Sequence, residues 1–348
     1  MVKKDLQQLV DKYDREDFLR WLSDFSSQVS SSCSLGKKSA LPQGKPSAIV
    51  VGGMGGSGIS GDLLAAYVSE SCSLPVLVVR GYELPAWIDE SVLFVAVSYS
   101  GNTEETLTLY KEAGNRGCTR LAVTSGGHLG ERASEAQDPV IKIPSGQPPR
   151  ASAPYLFIPL VYVLANLGLN SAPTDSELQE TLTVLEDISR EMAPENANTL
   201  AMKLAEKIYD KTPLVYGSRG ITAVLALRLK NQFNENAKMM AFVNEFPELN
   251  HNEIMGWKQL ENSPEKYIAI FLRDVGEHNR VKKRFEICED ILKNSVSEVV
   301  ELQSRGEALF CRFLSLMLLT DYVSYYTALL RGVDPSFIDN IESLKKQL

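Results

Sequence analysis

The stretch AIVVGGMGGSGISGDLL, Ala48 to Leu64, restricts this chain more than any other feature. A short apolar run stops in glycines and restarts with helical periodicity, so a buried strand feeds a glycine-rich loop that opens a helix. Such a turn leaves backbone N–H groups without helical partners and aims the positive end of the helix dipole at one spot, which suits a phosphate. Ser57 lies at that turn beside Gly56. A second apolar run, LFVAVSYSGNTEETL, ends in Ser98, Ser100 and Thr103, with Glu104 and Glu105 opening the next helix. Hydroxyls at two strand-to-helix turns can converge on one anion, and both glutamates are expected to face away from it.

Gly53, Gly55 and Gly58 also satisfy G-x-G-x-x-G after a strand, the dinucleotide fingerprint. That reading wants an acidic residue at the end of the next strand to hold a ribose, whereas PVLVVRGYEL ends at Arg80, with Glu83 behind a glycine. A third reading gives these glycines only to close helix-on-strand packing. The hydroxyl-rich second turn has no use in a core, and it favours the phosphate.

At 348 residues the chain exceeds what one core usually holds, so two domains are expected. A net charge of -8 argues against nucleic acid and anionic membrane surfaces as partners. No uninterrupted apolar run reaches the roughly 20 residues of a membrane helix. The charged, amphipathic start MVKKDLQQLVDKYDREDFLRWL is not expected to act as a signal peptide. Five scattered cysteines without C-x-x-C spacing fit reduced thiols in a cytoplasm, and three histidines make a His-rich metal site implausible, so no metal is expected.

After an opening helix over about Lys3–Phe25, the segment SSQVSSSCSLGKKSALPQGKPS reads as an extended connector. Apolar runs near 48–52, 76–79, 92–97, 120–124 and 140–143 alternate with helical or polar stretches, the pattern of a parallel sheet wrapped by helices. A helix over about 154–167 closes the unit. Further on, TPLVYGSRGITAVLALRLKNQFNENA repeats strand, turn and helix, with Gly217, Ser218 and Gly220 echoing the first loop; more strands are expected at 238–243, 267–272 and 296–301. The predicted fold is α/β, a duplicated flavodoxin-like unit with substrate in the cleft between halves at the carboxyl ends of the strands. The expected division is 1–47 as N-terminal helix and connector, 48–170 as first domain, 171–197 as helical linker, and 198–348 as second domain with C-terminal helices.

The strings GGMGGSGISGDLL and VSYSGNTEETL resemble the sugar isomerase (SIS) superfamily. LKNQFNENAK followed by NEFPELNHNEIMGW resembles its bifunctional phosphoglucose/phosphomannose isomerase family, a likeness that runs from about Ala48 to the C-terminus. The resemblance implies two tandem SIS subdomains and an aldose-ketose isomerase that interconverts fructose 6-phosphate with glucose 6-phosphate and mannose 6-phosphate through a cis-enediol. It implies no cofactor, a cytoplasmic place in glycolysis and gluconeogenesis, and a homodimer with a shared active site.

By the same resemblance, Gly56, Ser57, Ser98, Ser100 and Thr103 bind the phosphate and Glu235 moves a proton between C1 and C2. His251, contributed across a subunit interface, opens the sugar ring. Arg150 stabilises the enediolate, and Lys345 or its neighbour Lys346 reaches the site from the C-terminal helix. Each has a plainer reading from its surroundings. Glu235 is also a solvated carboxylate beside Lys238, although Asn231, Gln232, Asn234 and Asn236 make an unusual polar cluster there. His251 also fits a capping histidine, Arg150 a surface arginine, Lys345 a last-turn cation, and the hydroxyls helix caps. Ser336 in GVDPSFIDN is a candidate small residue beside C2. A phosphosugar-sensing module without catalysis would need only the hydroxyl clamp, and an isomerase of another phosphosugar would need the same clamp.

Overall fold

Helices α1 (Leu6–Tyr13), α2 (Phe18–Ser23) and α3 (Phe25–Lys38) precede the first strand of this computed structural model, which describes residues 6–196, 198–345 and 347. The chain forms two compact units, Phe25–Asp175 and Met1–Asp24 with Ser176–Leu348. The expected opening helix is therefore two: the chain breaks after Tyr13, Asp17 adopts φ 53°, and the Asp14 carboxylate accepts from Phe18 N (2.6 Å) and Leu19 N (2.9 Å) to start α2. Residues 3–5 of that expectation lie outside the described residues.

In the unit Phe25–Asp175 the chain runs β1 (Ala48–Gly52), α4 (Gly55–Val68), β2 (Val76–Val79), β3 (Val92–Val97) and α5 (Glu104–Asn115). It continues through β4 (Thr119–Thr124), α6 (Gly127–Glu135), β5 (Val140–Lys142), a 3-10 turn (Pro149–Ala151) and α7 (Ala153–Asn166). All strand pairs are parallel, in the order β2-β1-β3-β4-β5, with Val50 opposite Phe94 and Val95 opposite Leu121. That is the flavodoxin-like order, whose switch point lies between β1 and β3. Both strands are buried at every position, as strands covered by helices on two faces must be.

The serine-rich segment expected as a connector is mostly α3. Its Phe25, Val29 and Cys33 are buried at four-residue spacing, and Ser34 Oγ donates back to Ser30 O at 3.2 Å, as Ser39 Oγ, just past the helix end, does to Leu35 O at 2.8 Å. A Cβ at Gly36 would stand 2.7 Å from Tyr162 Cβ and 2.9 Å from Pro159 Cα, so glycine lets α3 lie directly on α7. Residues 25–47 thus belong to the β1–β5 unit rather than to a separate N-terminal segment.

The second unit continues with α8 (Asp175–Glu191), α9 (Leu200–Ile208), β6 (Thr212–Ser218), α10 (Ile221–Glu235) and β7 (Phe242–Phe246). After 3-10 turns at Glu248–His251 and Glu253–Met255 come α11 (Trp257–Leu260), β8 (Tyr267–Arg273), α12 (Asn279–Leu292), β9 (Val299–Gln303), α13 (Leu309–Leu330) and α14 (Asp339–Lys345). Its parallel sheet is ordered β7-β6-β8-β9, the same winding as the first. Most of the expected linker is α8, which buries Thr181, Leu185 and Ile188 in this unit. Strand β7 begins later than expected because Lys238, at φ 51°, turns the chain back on α10 and Asn234 Nδ2 donates to Met239 O at 2.8 Å.

Helix α13 corrects another expectation. Its 22 residues, mean hydropathy 1.3, are long and apolar enough to cross a membrane, yet the apolar window is wholly buried inside the protein. Asp321, Ser315 and Ser324 interrupt the run and hid it in the sequence. Phe18 of α2 stacks on Tyr325 at 6.2 Å, and the Tyr325 hydroxyl donates to Asp14 at 2.8 Å, which ties residues 6–24 to α13.

Candidate active site

The switch point of the first sheet brings the two glycine- and serine-bearing tips into contact. Ser57, buried in the first turn of α4, accepts at Oγ from Tyr99 N at 3.1 Å, across 42 residues of sequence. Ser98 Oγ donates to Thr103 Oγ1 at 3.0 Å and accepts from Gly101 N at 3.1 Å, while Ser100 Oγ accepts from Asn102 N at 3.2 Å. Thr103 is the N-cap of α5 without a side-chain capping bond, so its hydroxyl works with Ser98 instead. Glu104 and Glu105 stand beside the Tyr82 hydroxyl.

Tyr99 is the residue the sequence reading missed. Its N–H goes to Ser57, its carbonyl accepts from Ser125 Oγ at 2.7 Å, and its hydroxyl accepts from Gln147 N at 3.0 Å. One residue therefore locks the loops after β1, β3, β4 and β5. Only its place between Ser98 and Ser100 could have marked it.

Arg150, 7% exposed, sits in the 3-10 turn laid against the glycine-rich turn that opens α4: a Cβ at Gly56 would stand 3.3 Å from the Pro149 carbonyl and 3.4 Å from Arg150 N. The glycines divide the competing readings. Gly53 and Gly58 are packing glycines, since added Cβ atoms would meet Val97 O at 2.9 Å and Gly53 O at 2.7 Å. At the end of β2, where a ribose-binding acid would stand, Arg80 lies over Gly58 and is ion-paired with Asp62. Burial nevertheless pushes the Asp62 carboxyl above its ordinary range, against the pull of Arg80.

The other proposed residues lie in the second unit. Glu235, partly exposed, ends α10. Two members of its polar cluster are engaged inside the protein: Gln232 and Asn236 are buried and bonded to each other at 2.9 Å, with Gln232 also donating to Asp321 and Asn236 to Ser324 of α13. His251 is exposed at the end of the 3-10 turn that follows β7. Helix α10 leaves the carboxyl end of β6 and returns across the sheet, and Leu214, two residues into β6, pairs with Phe242 at the start of β7, whereas Ser218 pairs with Phe246 at their ends. Glu235 thus lies at the amino edge of this sheet, the length of a 15-residue helix, about 22 Å, away from the turn that opens α10, and His251 follows the carboxyl end of β7.

Lys345 closes α14, which buries none of its residues, and Lys346 lies outside the described residues. Ser336 sits between α13 and α14 with its N–H on Asp334 Oδ1 at 2.8 Å. Among the described residues no group of three or more His, Cys, Asp or Glu side chains is placed to hold a metal. The echo at Gly217–Gly220 closes on itself: Ser218 N donates to Thr222 Oγ1 at 2.8 Å, and a Cβ at Gly217 would strike Thr222 O at 2.2 Å.

A flavodoxin-like parallel sheet with hydroxyls gathered at its switch point defines the SIS class, and residues 45–167 match the SIS domain model while 197–348 match the bacterial phospho-glucose isomerase C-terminal SIS domain. The chain is 42% identical over 302 residues to the bifunctional phosphoglucose/phosphomannose isomerase of Caldicellulosiruptor bescii, covering 86% of this chain and 89% of that one. It is 38% identical over 307 residues to the protein of the same name from Thermoplasma volcanium, covering 88% and 92%. This chain belongs to the bifunctional phosphoglucose/phosphomannose isomerase family. Its fold is similar to the C-terminal domain of glucosamine-fructose-6-phosphate aminotransferase from Francisella tularensis, with a TM-score of 0.72 at 15% identity over 94% of this chain and 99% of that one.

Proposed function

We propose that this protein interconverts fructose 6-phosphate with glucose 6-phosphate and mannose 6-phosphate by moving a proton between C1 and C2 through a cis-enediol. The observation that carries the reading is the Ser57–Tyr99 bond, which joins the two hydroxyl-bearing tips into one cup beside Arg150. Gly56, Ser57, Ser98, Ser100 and Thr103 hold the phosphate, whose binding orients the reacting carbons. Glu235 shuttles the proton, Arg150 neutralises the enediolate with a permanently charged donor, His251 assists ring opening and Lys345 adds a cation. Ser336 leaves room for either configuration at C2.

The reaction returns its electrons to the same molecule, so no redox cofactor is consumed. Placement of Glu235 and His251 at opposite edges of one sheet supports a homodimer in which His251 of a second copy completes the site. A cytoplasmic role in glycolysis and gluconeogenesis accompanies this reading.

Glu235→Gln keeps the side chain's size and removes its ability to take the proton. With fructose 6-phosphate as substrate and glucose 6-phosphate and mannose 6-phosphate read separately, the variant is expected to bind substrate nearly as well as wild type and to turn over neither way. Retention of roughly a tenth of wild-type kcat would overturn the assignment, because loss of a general base removes about 100-fold or more.

A further inference from the structure

His251 is exposed, yet the residues around it are fastened on every side. Leu249 is fully buried in the core. Asn250 accepts at Oδ1 from Arg284 Nη1 at 3.0 Å and donates Nδ2 to Cys288 Sγ at 3.1 Å, both on α12. Asn252 caps the next turn through Glu253 N at 2.6 Å and donates to Glu248 at 2.8 Å. The Glu253 carboxylate then receives the Tyr216 hydroxyl of β6 at 2.5 Å on Oε1 and Asn244 Nδ2 of β7 at 2.6 Å on Oε2. Trp257 Nε1 donates to the same Tyr216 oxygen at 3.1 Å.

Tyr216 of β6 on Oε1 and Asn244 of β7 on Oε2, with a longer third bond from Trp257 Nε1 to Oε1 at 3.4 Å, fix both the position and the rotation of the group. Tyr216 and Trp257 are buried, so this end of the turn is anchored in the core while the imidazole two residues earlier stands in solvent. A turn built only to connect β7 to α11 needs no such clamp, since an exposed connection satisfies its polar groups with water. A turn that must present an imidazole to a sugar ring oxygen needs one, because the ordering cost is then met before substrate arrives.

We propose that Glu253 is a positioning residue for His251, holding the turn that presents the imidazole through its bonds to Tyr216 and Asn244. Glu253 touches no substrate. The inference rests on the assignment of His251 to ring opening, and the test separates the two.

The full-length protein is assayed with fructose 6-phosphate as wild type, Glu253→Ala, Glu253→Gln, His251→Ala and the His251→Ala/Glu253→Ala double variant. Glu253→Ala is expected to lower kcat by about 100-fold with little change in KM, as a misplaced catalytic group does. Glu253→Gln, which still accepts from Tyr216, is expected to recover most of that loss. In the His251→Ala background the second substitution should cost nothing further, since residues acting through one another are not additive. Wild-type kcat in Glu253→Ala, or an equal loss in the His251→Ala background, overturns the proposal. Wild-type kcat in His251→Ala overturns the ring-opening assignment and this inference with it. Should Glu253→Ala not fold, Tyr216→Phe combined with Asn244→Ala, which removes the two short bonds to the carboxylate and leaves only the 3.4 Å bond from Trp257, carries the same cycle: a fall in kcat that vanishes in the His251→Ala background supports the proposal, and wild-type kcat overturns it.

Discussion

Gly56 and Gly58, two residues apart in one helical turn, carry separable duties. A methyl at Gly58 would stand 2.7 Å from the Gly53 carbonyl oxygen, backbone against backbone, and nothing flexible can yield. Gly58→Ala is therefore expected to lose about 1–3 kcal/mol of stability, the usual cost of overpacking, read as a lowered denaturant midpoint. A methyl at Gly56 meets the Pro149 carbonyl at 3.3 Å, which a shift of the short Pro149–Ala151 turn relieves. That shift carries Arg150 with it, so Gly56→Ala should melt near wild type while kcat/KM falls about tenfold, the share of a 100-fold-per-ångström penalty that a few tenths of an ångström exacts. Equal loss of stability in both variants would contradict the division. Ser57, Ser98 and Thr103 were legible in the sequence as hydroxyls gathered at two strand-to-helix turns. Tyr99 was not, because it acts through its backbone and through a phenol bonded to a residue far along the chain. Gln232 and Asn236 were visible as part of an unusual polar cluster, but their pairing with α13 was not, since sequence does not say which side of a helix a neighbour covers.

That covered side is a property of elements. Arg228, Gln232 and Asn236 recur every four residues along α10 and face Asp321 and Ser324 on α13: Arg228 grips the Asp321 carboxylate with both terminal nitrogens, and Gln232 Nε2 adds a bond at 2.9 Å. Arg228 and Asp321 are 4% and 2% exposed, so neither charge has water to fall back on. Asp321→Ala strands the guanidinium in the core and should cost about 3–5 kcal/mol in calorimetric or denaturant unfolding, whereas Arg228→Met with Asp321→Leu removes both charges and should recover most of it. A loss below about 1 kcal/mol for Asp321→Ala would mean that water reaches the pair. The same difficulty of scale explains α3. Its Phe25, Val29 and Cys33 stripe was present in the sequence, but the serines between them carry turn and linker statistics, and only the close approach to α7 shows that small side chains were needed there. The five strands of the first sheet, by contrast, were legible almost to the residue, because each is a short apolar run bounded by polar turns, unbroken in β1 and β3, which are buried at every position.

At the level of the whole molecule, two sheets share one winding order, and the proposed function gives the anion to the first. The duplication was legible from alternating strands and helices; which unit residues 6–24 join was not, because that depends on Tyr325, more than three hundred residues away. In the first sheet the loop after the third-wound strand offers Ser98, Ser100 and Thr103. In the second, the loop after β8 offers Asp274, buried and already accepting from Ser304 Oγ at 2.6 Å, Arg312 Nε at 3.0 Å and Gly276 N at 3.0 Å. The donors that would hold a phosphate there are engaged by the chain's own carboxylate, and Ser218 on the adjoining loop is closed on Thr222. An incoming dianion would have to displace a negative charge from a hydrogen-bonded, mostly buried seat, which electrostatics opposes. Calorimetric titration with fructose 6-phosphate is therefore expected to saturate at a single site per chain, and Ser57→Ala combined with Ser98→Ala should abolish the heat altogether. A second site surviving in that double variant would show that the β6–β8 switch point still binds phosphate, and that Asp274 can be moved aside.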